Sequence, residues 1–156
     1  MFAIHQATKS DAHEVAIMVG ELLHEIMGII GMQAFNFNLD ETTTRLEDFI
    51  KREKYVVFIA QEEYANPVGF VSLYEGYALY AEGAFGVIPE LFVRPMFRSM
   101  DIGRLLILKA KSFGKLRDWK RLEVTTPPLP EFDRTLAFYE REGFTITGGR
   151  KLKVAL

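Results

Sequence analysis

One junction limits the folds open to this chain more than any other feature of the sequence. Residues 90–106 read ELFVRPMFRSMDIGRLL, an apolar run that ends in Arg94-Pro95 and passes through a short polar loop into a leucine-rich segment. The β-branched and aromatic residues before Pro95 predict a strand, and the apolar spacing of residues 102–118 predicts an amphipathic helix. The chain therefore needs a fold in which a strand leads directly into a helix.

The rest of the chain continues this alternation of strands and helices. Dense β-branched and aromatic runs predict strands over residues 2–8, 55–60, 68–73, 86–93 and 121–125. A possible extension or loop follows at residues 74–80, which are rich in tyrosine. Gly148-Gly149 predicts a last hairpin between residues 144–147 and 151–156.

Apolar residues at helical spacing predict the remaining helices. Asp11 and Glu14 have the form of a capping box for a first helix that ends near Ile30, and Asp40 is the expected cap of a second. A short helix over residues 135–142 ends at a glycine. The predicted order is β-α-α-β-β-β-α-β-α-β-β, a mixed α/β (α+β) fold in one domain over residues 1–156.

Composition excludes several classes of protein. With 156 residues, 49% of them hydrophobic and 26% charged, the chain has the composition of one soluble globular domain. The formal net charge of -2 argues against a nucleic-acid partner. The absence of cysteine excludes disulfides and thiolate chemistry and fits a reducing compartment. No apolar run approaches a membrane span, so we expect a cytoplasmic protein without a membrane partner, and a homodimer as the default assembly.

The common motifs of metal, hydrolase and nucleotide chemistry are incomplete. His13 and His24 are each followed by glutamate but lack the second histidine one turn further on, so neither helix face can chelate zinc. The sequence contains no Gly-x-Ser-x-Gly and no Walker A lysine, and Gly103 alone makes no dinucleotide fingerprint. We therefore expect no metal site.

The start of the helix after Pro95 is the strongest candidate site. A helix N-terminus offers unpaired N–H groups and a partial positive charge, and Arg98 and Arg104 flank this one. The pattern predicts an anion site there. The alternative is an ordinary strand-to-helix junction with solvated arginines.

Two motifs resemble those of the GNAT superfamily of acetyl-coenzyme A-dependent N-acetyltransferases. That family's signature, Glu-Leu-(Phe/Tyr)-Val-x-Pro-x-x-Arg-Gly-x-Gly-Ile-Gly-x-x-Leu, is similar to residues 90–106, and its Leu/Phe-Tyr-x-x-x-Gly-Phe motif is similar to FYEREGF at residues 138–144. The predicted order of elements also resembles that family's over nearly the whole chain. Ser99 and Asp101 stand where the family usually has glycine, and Phe132 where it often has asparagine.

The resemblance implies a central mixed sheet flanked by helices, and acetyl-CoA as co-substrate. The pantetheine arm would pair with the strand that ends at Val93, and the pyrophosphate would lie on the amides of the turn. The basic face of the helix, Lys109–Arg117, is expected to be solvated, and the alternative is that this face, Arg134 or Arg141 contacts the 3'-phosphate. The implied cofactor-binding residues are Leu91, Phe92, Val93, Arg98, Ser99, Met100, Asp101, Ile102, Gly103, Arg104, Arg134, Phe138 and Arg141.

Asp101 places a carboxylate where an anion is expected. At about 5 Å from a phosphate it would cost roughly 3 kcal/mol at an effective dielectric near 20. Aspartate starts helices and tolerates the left-handed backbone, so we expect its side chain to face water while its N–H faces the ligand.

The resemblance also implies direct attack of an amine on the thioester. Tyr139 matches the family's acid, which would protonate the leaving thiolate; its alternative role is core packing. Glu90 is the candidate base for the ammonium, whose pKa is about 10.4, with Glu82 or water as competitors. The alternative for Glu90 is a surface residue. A backbone N–H near Leu91 is the expected oxyanion donor.

The acceptor is predicted only as a small-molecule amine or a peptide or protein amine. A candidate pocket for a cationic amine combines Phe35, Phe37, Tyr74, Tyr77 and Tyr80 with Glu21, Glu25 and Glu75. The alternative is that these aromatic residues belong to the core, as such clusters more often do. Two other functions stay open: a catalytically silent acyl-CoA-binding sensor of the same fold, and an α/β domain that binds an unrelated ligand.

Overall fold

The computed structural model describes every residue from Met1 to Leu156. It contains a six-stranded sheet formed by β1 (Phe2–Gln6), β2 (Val56–Glu62), β3 (Pro67–Ala78), β4 (Gly83–Ile88), β5 (Leu91–Val93) and β6 (Leu122–Val124). The four α-helices are α1 (Ala12–Ile30), α2 (Leu39–Lys51), α3 (Ile102–Leu116) and α4 (Asp133–Arg141). Short 3₁₀ turns at Lys9–Asp11 and Pro95–Phe97 precede α1 and follow β5. The predicted mixed α/β fold is confirmed.

The sheet is antiparallel except at one edge. Its order is β1-β2-β3-β4-β6, and β6 runs parallel to β4. The long strand β3 has two partners on one side: residues 69–71 pair with β5, and residues 74–78 pair with β4. The prediction of one continuous strand over residues 86–93 is therefore wrong at Pro89 and Glu90, because Pro89 has no N–H to give to the ladder.

Side chains alternate between the two faces of the sheet, and each face has its own core. On β2, Phe58 and Ala60 pack with α3, whereas Val57 and Ile59 pack with α1 and α2. Helices therefore cover both faces, as in a three-layer α/β arrangement. None of the four helices has both the length and the apolar content that crossing a bilayer requires.

Two helix caps differ from those predicted. The Asp11 carboxylate accepts a hydrogen bond from the Thr8 amide at 2.8 Å, so the capping box joins Thr8 to Asp11 and not Asp11 to Glu14. At α2, Asn38 Oδ1 accepts the Glu41 N–H at 2.9 Å, so the cap is Asn38 and not Asp40. At α2 the cap lies two residues earlier than expected, whereas at α1 Asp11 holds the N-cap position but its carboxylate bonds back to Thr8 and does not cap the helix.

The predicted C-terminal hairpin is wrong. Residues 144–156 form no strand, and the element order ends at α4. Phe144 packs against the core on the α3 face, but the apolar side chains beyond it, among them Leu152 and Val154, are exposed. A two-stranded hairpin is marginally stable unless it packs on something, and here the alternating pattern has no surface to cover.

Candidate active site

A cleft opens where β4 and β6 separate. The two strands pair as far as Ile88 and Val124, after which the chain of β5 continues along β3 and no strand pairs with its other edge. The Ser72 N–H donates to the Glu90 carbonyl at 2.9 Å and the Arg94 N–H to the Val68 carbonyl at 2.8 Å. Because strand groups alternate in direction, the N–H groups of Leu91 and Val93 point into the opening, which we call the cleft.

The turn that follows β5 leaves a run of amides free. The Arg98 N–H donates to the Pro95 carbonyl, and the next amide with a backbone partner is that of Leu105, which donates to the Asp101 carbonyl at 3.0 Å. The six amides of residues 99–104 thus have no backbone acceptor. Ser99 and Asp101 adopt the left-handed conformation, with φ of 64° and 63°. Alternation of this kind turns successive N–H groups toward one anion-binding concavity.

The two departures from the family's glycine pattern fall on these left-handed positions. Glycine enters this region without steric cost, and aspartate and serine do so less easily. Both side chains are exposed, as is Met100 between them, and the Asp101 carboxylate makes no cap hydrogen bond. The backbone of the turn is therefore formed without glycine.

The arginines of the turn have different surroundings. Arg98 donates to the Val93 carbonyl at 2.8 Å and to the Glu25 carboxylate of α1 at 2.8 Å, so its guanidinium holds the turn against α1. Arg104 is exposed, with its Nε 3.9 Å from the Glu142 carboxylate. On α4, Arg134 and Arg141 are also exposed.

Gly103 and Phe138 form the contact between α3 and α4. A Cβ at Gly103 would lie 3.2 Å from the Phe138 ring, so the glycine leaves room for this ring beside the first turn of α3. The neighbouring Ile102 is buried in the core on the same face. These residues position the turn through packing.

Tyr139 lies in the core on the α3 face, 6% exposed, with the rings of Phe138 and Phe144 at 5.3 and 5.4 Å. It belongs to the same buried cluster as Ile88, and Val93 packs against this cluster. Burial raises the pKa of the Tyr139 hydroxyl above its usual range. The Tyr139 hydroxyl makes no hydrogen bond within the protein. Since every fully buried polar side-chain atom does have a partner, the hydroxyl oxygen must still reach solvent.

Glu90 lies on the opposite face, at the interruption between β4 and β5. Its carboxylate accepts a hydrogen bond of 2.6 Å from Ser72 Oγ, and its own N–H donates to the same oxygen at 3.0 Å. Burial raises the pKa of the Glu90 carboxyl, and hydrogen bonds from Ser72 and Tyr55 oppose that rise. Glu82, the competing base, is exposed before the other end of β4, in the turn that joins it to β3.

A pocket of about 190 Å³ lies between α1, α2 and the sheet, and Glu90 is part of its wall. Nine of its fourteen lining residues are hydrophobic, and Glu90 and Arg45 are its charged members. The lining comprises Val15, Val19, Leu23, Asn36, Phe37, Thr42, Arg45, Leu46, Phe49, Tyr55, Val57, Phe70, Ser72 and Glu90. An apolar cavity with a few convergent polar groups is the usual form of a small-molecule site.

The pocket contains only part of the aromatic set expected from the sequence. Phe37 lines it, packed over Gly20 of α1, where a Cβ would lie 2.6 Å from its ring. Phe35, Tyr74, Tyr77 and Tyr80 do not line it. The last two are exposed near the β3–β4 turn, so this part of the prediction is wrong.

The acidic residues expected to attract an amine have other partners. Glu21 binds Arg94 at 2.9 Å and Glu25 binds Arg98 at 2.8 Å, so both charges are compensated. Glu75 accepts hydrogen bonds from Tyr77 and Trp119 away from the pocket. Sequence reasoning also missed Ser72, Tyr55 and Arg45. The signal available for Ser72 was a single hydroxyl inside the apolar run VGFVSL.

No group of three or more histidine, aspartate or glutamate side chains is arranged to hold a metal ion. The groups that the candidate site offers are the free amides, the carboxyl of Glu90 and the hydroxyl of Tyr139.

Comparisons with known proteins agree with this geometry. Residues 53–146 match the family model of the acetyltransferase (GNAT) domain. No curated protein matches significantly in sequence. Similar solved structures include an aminoglycoside acetyltransferase from an uncultured soil metagenomic sample, with a TM-score of 0.77 at 19% identity, covering 99% of this chain and 96% of that one.

Two further structures share the fold. The ribosomal-protein-alanine N-acetyltransferase of Brucella melitensis biovar Abortus 2308 has a TM-score of 0.75 at 21% identity, with 99% of both chains covered. A predicted acetyltransferase of Clostridium acetobutylicum with acetyl-CoA has a TM-score of 0.79 at 16% identity, covering 99% and 96%. Since the family model spans more than half of the sequence, the chain belongs to the GNAT family of acetyltransferases and is an acyltransferase.

Proposed function

We propose that this protein transfers the acetyl group of acetyl-CoA to an amine by direct attack within a ternary complex. The observation that supports this most strongly is the interruption of the sheet at Glu90, where a cleft edged by free backbone amides opens and a pocket holds a titratable carboxyl. Glu90 lies in the wall of that pocket on the α1 face, and Tyr139 lies in the core on the α3 face.

The residues around the cleft fit coenzyme A. The free amides of residues 99–104 match a diphosphate, and the outward N–H groups of Leu91 and Val93 match the amide carbonyls of a pantetheine arm. Arg134 and Arg141 are our candidates for the 3'-phosphate. When bound, acetyl-CoA supplies the acetyl thioester and the thiolate leaving group.

Glu90 is the proposed base. An alkyl ammonium with a pKa of about 10.4 must lose a proton before it can attack, and the raised pKa of the Glu90 carboxyl makes it a better acceptor than an ordinary glutamate. The Ser72 hydroxyl donates to that carboxylate at 2.6 Å and limits its orientation. Water between the amine and Glu90 serves equally well as a relay.

Tyr139 is the proposed acid. A tyrosine hydroxyl is protonated at neutral pH, so Tyr139 has a proton to offer a leaving thiolate whose pKa is about 8.5, and the pKa that burial raises makes it a weaker acid than an exposed tyrosine. The rings of Phe138 and Phe144 fix the orientation of the phenol. A cleft-facing N–H of β5 is the proposed donor to the oxyanion.

Thiol release with a panel of amines tests the proposal, together with calorimetric titration of coenzyme A. We expect binding and turnover, and a rate reduced at least tenfold by Glu90→Gln with little change in coenzyme A affinity. Coenzyme A binding without turnover on any amine would favour the silent acyl-CoA sensor, which the replacement of glycine by Ser99 and Asp101 keeps in consideration. The cytoplasmic location and the homodimer stay predictions, the latter open to light scattering.

A further inference from the structure

We infer that the acceptor is a compact amine that carries a carboxylate, such as a free amino acid with an apolar side chain, and that Arg45 binds this carboxylate. The inference rests on the proposed function, because it takes the pocket beside Glu90 as the acceptor site. It makes Arg45 a specificity-determining residue.

The volume of the pocket limits the size of the acceptor. Sites for drug-sized ligands span about 300–1,000 Å³, whereas this pocket holds about 190 Å³. A shallower depression of about 480 Å³ lies on the outer side of α2, but no hydrophobic residue lines it and it does not reach the sheet. The smaller pocket therefore has the enclosed apolar walls that a ligand's side chain needs.

The charges of the pocket indicate what the ligand carries. Glu90 lines it from the sheet, and Arg45 lines it from α2. One acid suits one ammonium group, and one guanidinium suits one carboxylate, which it can bind with two parallel hydrogen bonds. The nine apolar lining residues leave the rest of the ligand in a hydrophobic environment.

Arg45 is exposed, lines both the pocket and the outer depression, and forms no ion pair that would keep it from an anion. The acids near it are Asp40, Glu41 and Asp48, all on α2, and none forms an ion pair with it. Asp48 instead pairs with Arg52 at 2.9 Å. These acids weaken the field of Arg45 on the solvent side without occupying its guanidinium.

The same charges disfavour the other acceptor classes. A polycationic amine would find one carboxylate in the pocket and would face the Arg45 charge, because Glu21 and Glu25 are already paired with Arg94 and Arg98. A peptide N-terminus has no carboxylate beside its amine and would leave Arg45 without a partner.

The test compares each amino acid with its own amide. Leucine, phenylalanine and methionine, their amides, and a polyamine are assayed by thiol release, and binding to the coenzyme A-loaded protein is measured by calorimetry. We expect kcat/KM and affinity to favour the free acid by about tenfold. In Arg45→Gln the ratio of acid to amide should approach one, and in Arg45→Glu the amide should be preferred. Arg52→Gln, at the C-cap of the same helix and outside the pocket, is the matched control and should keep the wild-type ratio.

Equal use of acid and amide by the wild type, or preference for the polyamine, would overturn the inference and leave the acetyltransferase proposal intact. An unchanged ratio in Arg45→Gln would overturn the role of Arg45. If no amine is acetylated, the proposed activity fails, and the binding ratio alone decides whether the pocket selects a carboxylated amine.

Discussion

Asp101 offers the sharpest test of the proposed anion site, because two properties of this residue can be separated by mutation. It has a left-handed backbone, with φ of 63°, and it carries a negative charge beside six free amides. Asp101→Asn removes the charge and keeps a side chain that tolerates this backbone. Ser99→Gly relieves the equivalent backbone, with φ of 64°, without changing any charge.

The expected magnitudes differ for the two properties. The left-handed backbone costs a side chain about 1 kcal/mol, and glycine loses a similar amount, about 0.5–1 kcal/mol, through its greater freedom in the unfolded chain. Ser99→Gly should therefore differ from wild type by less than about 0.5 kcal/mol in unfolding free energy. The charge is exposed, so its repulsion of a phosphate about 4 Å away is about 1 kcal/mol in a water-like medium.

Titration calorimetry with coenzyme A should therefore show about fivefold tighter binding for Asp101→Asn at low salt. Ser99→Gly should bind as the wild type does. In 1 M salt, where the Debye length is about 3 Å, the difference between Asp101→Asn and wild type should disappear. A tenfold loss of affinity in Asp101→Asn would refute the reasoning, since it would make the carboxylate a ligand contact. Equal gains in both variants would assign the effect to the backbone.

Three further changes test the site and its support. Tyr139→Phe should lower kcat at least tenfold while coenzyme A affinity, measured by calorimetry, stays within about twofold; unchanged kcat would remove Tyr139 from the mechanism. Ser72→Ala removes a hydrogen bond that lowers the pKa of Glu90, so that pKa should rise and the acid limb of the pH–rate profile should move to higher pH; an unmoved limb would exclude Glu90 as the base. Gly69→Ala places a Cβ 2.6 Å from a carbonyl oxygen of β5 and should lower unfolding free energy by about 2 kcal/mol in urea titrations. The control Gly28→Ala, in open space on α1, should raise it by about 0.5–1 kcal/mol; equal effects would contradict the packing argument.

The sequence predicted those parts of the fold that depend on local patterns. Apolar spacing found α3 and its start at Ile102, and the proline signature found the turn before it. The C-terminal hairpin failed because alternation in residues 151–156 says nothing of whether a partner surface exists. The interruption between β4 and β5 depends on Pro89. This proline was overlooked because the apolar residues on both sides of it predict one continuous strand.

The sequence identified the candidate site residues from local motifs, but it did not predict how residues distant in the sequence are arranged around them. Glu90 and Tyr139 were identified as candidates from their motifs, yet nothing local places them on opposite faces of the sheet. Ion pairs between residues 73 positions apart, Glu21 with Arg94 and Glu25 with Arg98, could not be read from sequence. Because these ion pairs were not predicted, Glu21 and Glu25 were expected to attract a cationic amine, although both charges are compensated.

Those two ion pairs give α1 a role on both sides of the site. Val15 and Val19 of α1 form part of the pocket wall beside Glu90. Between and just beyond the pocket residues of the same helix, Glu21 and Glu25 hold Arg94 and Arg98 next to β5, and Arg98 also donates to the Val93 carbonyl on the cleft edge. One helix thus contacts both the pocket beside Glu90 and the strand end that leads to the free amides of residues 99–104. The distance between the pocket and these amides is therefore set by the packing of α1, which neither the motif at residues 90–106 nor that at residues 138–144 encodes.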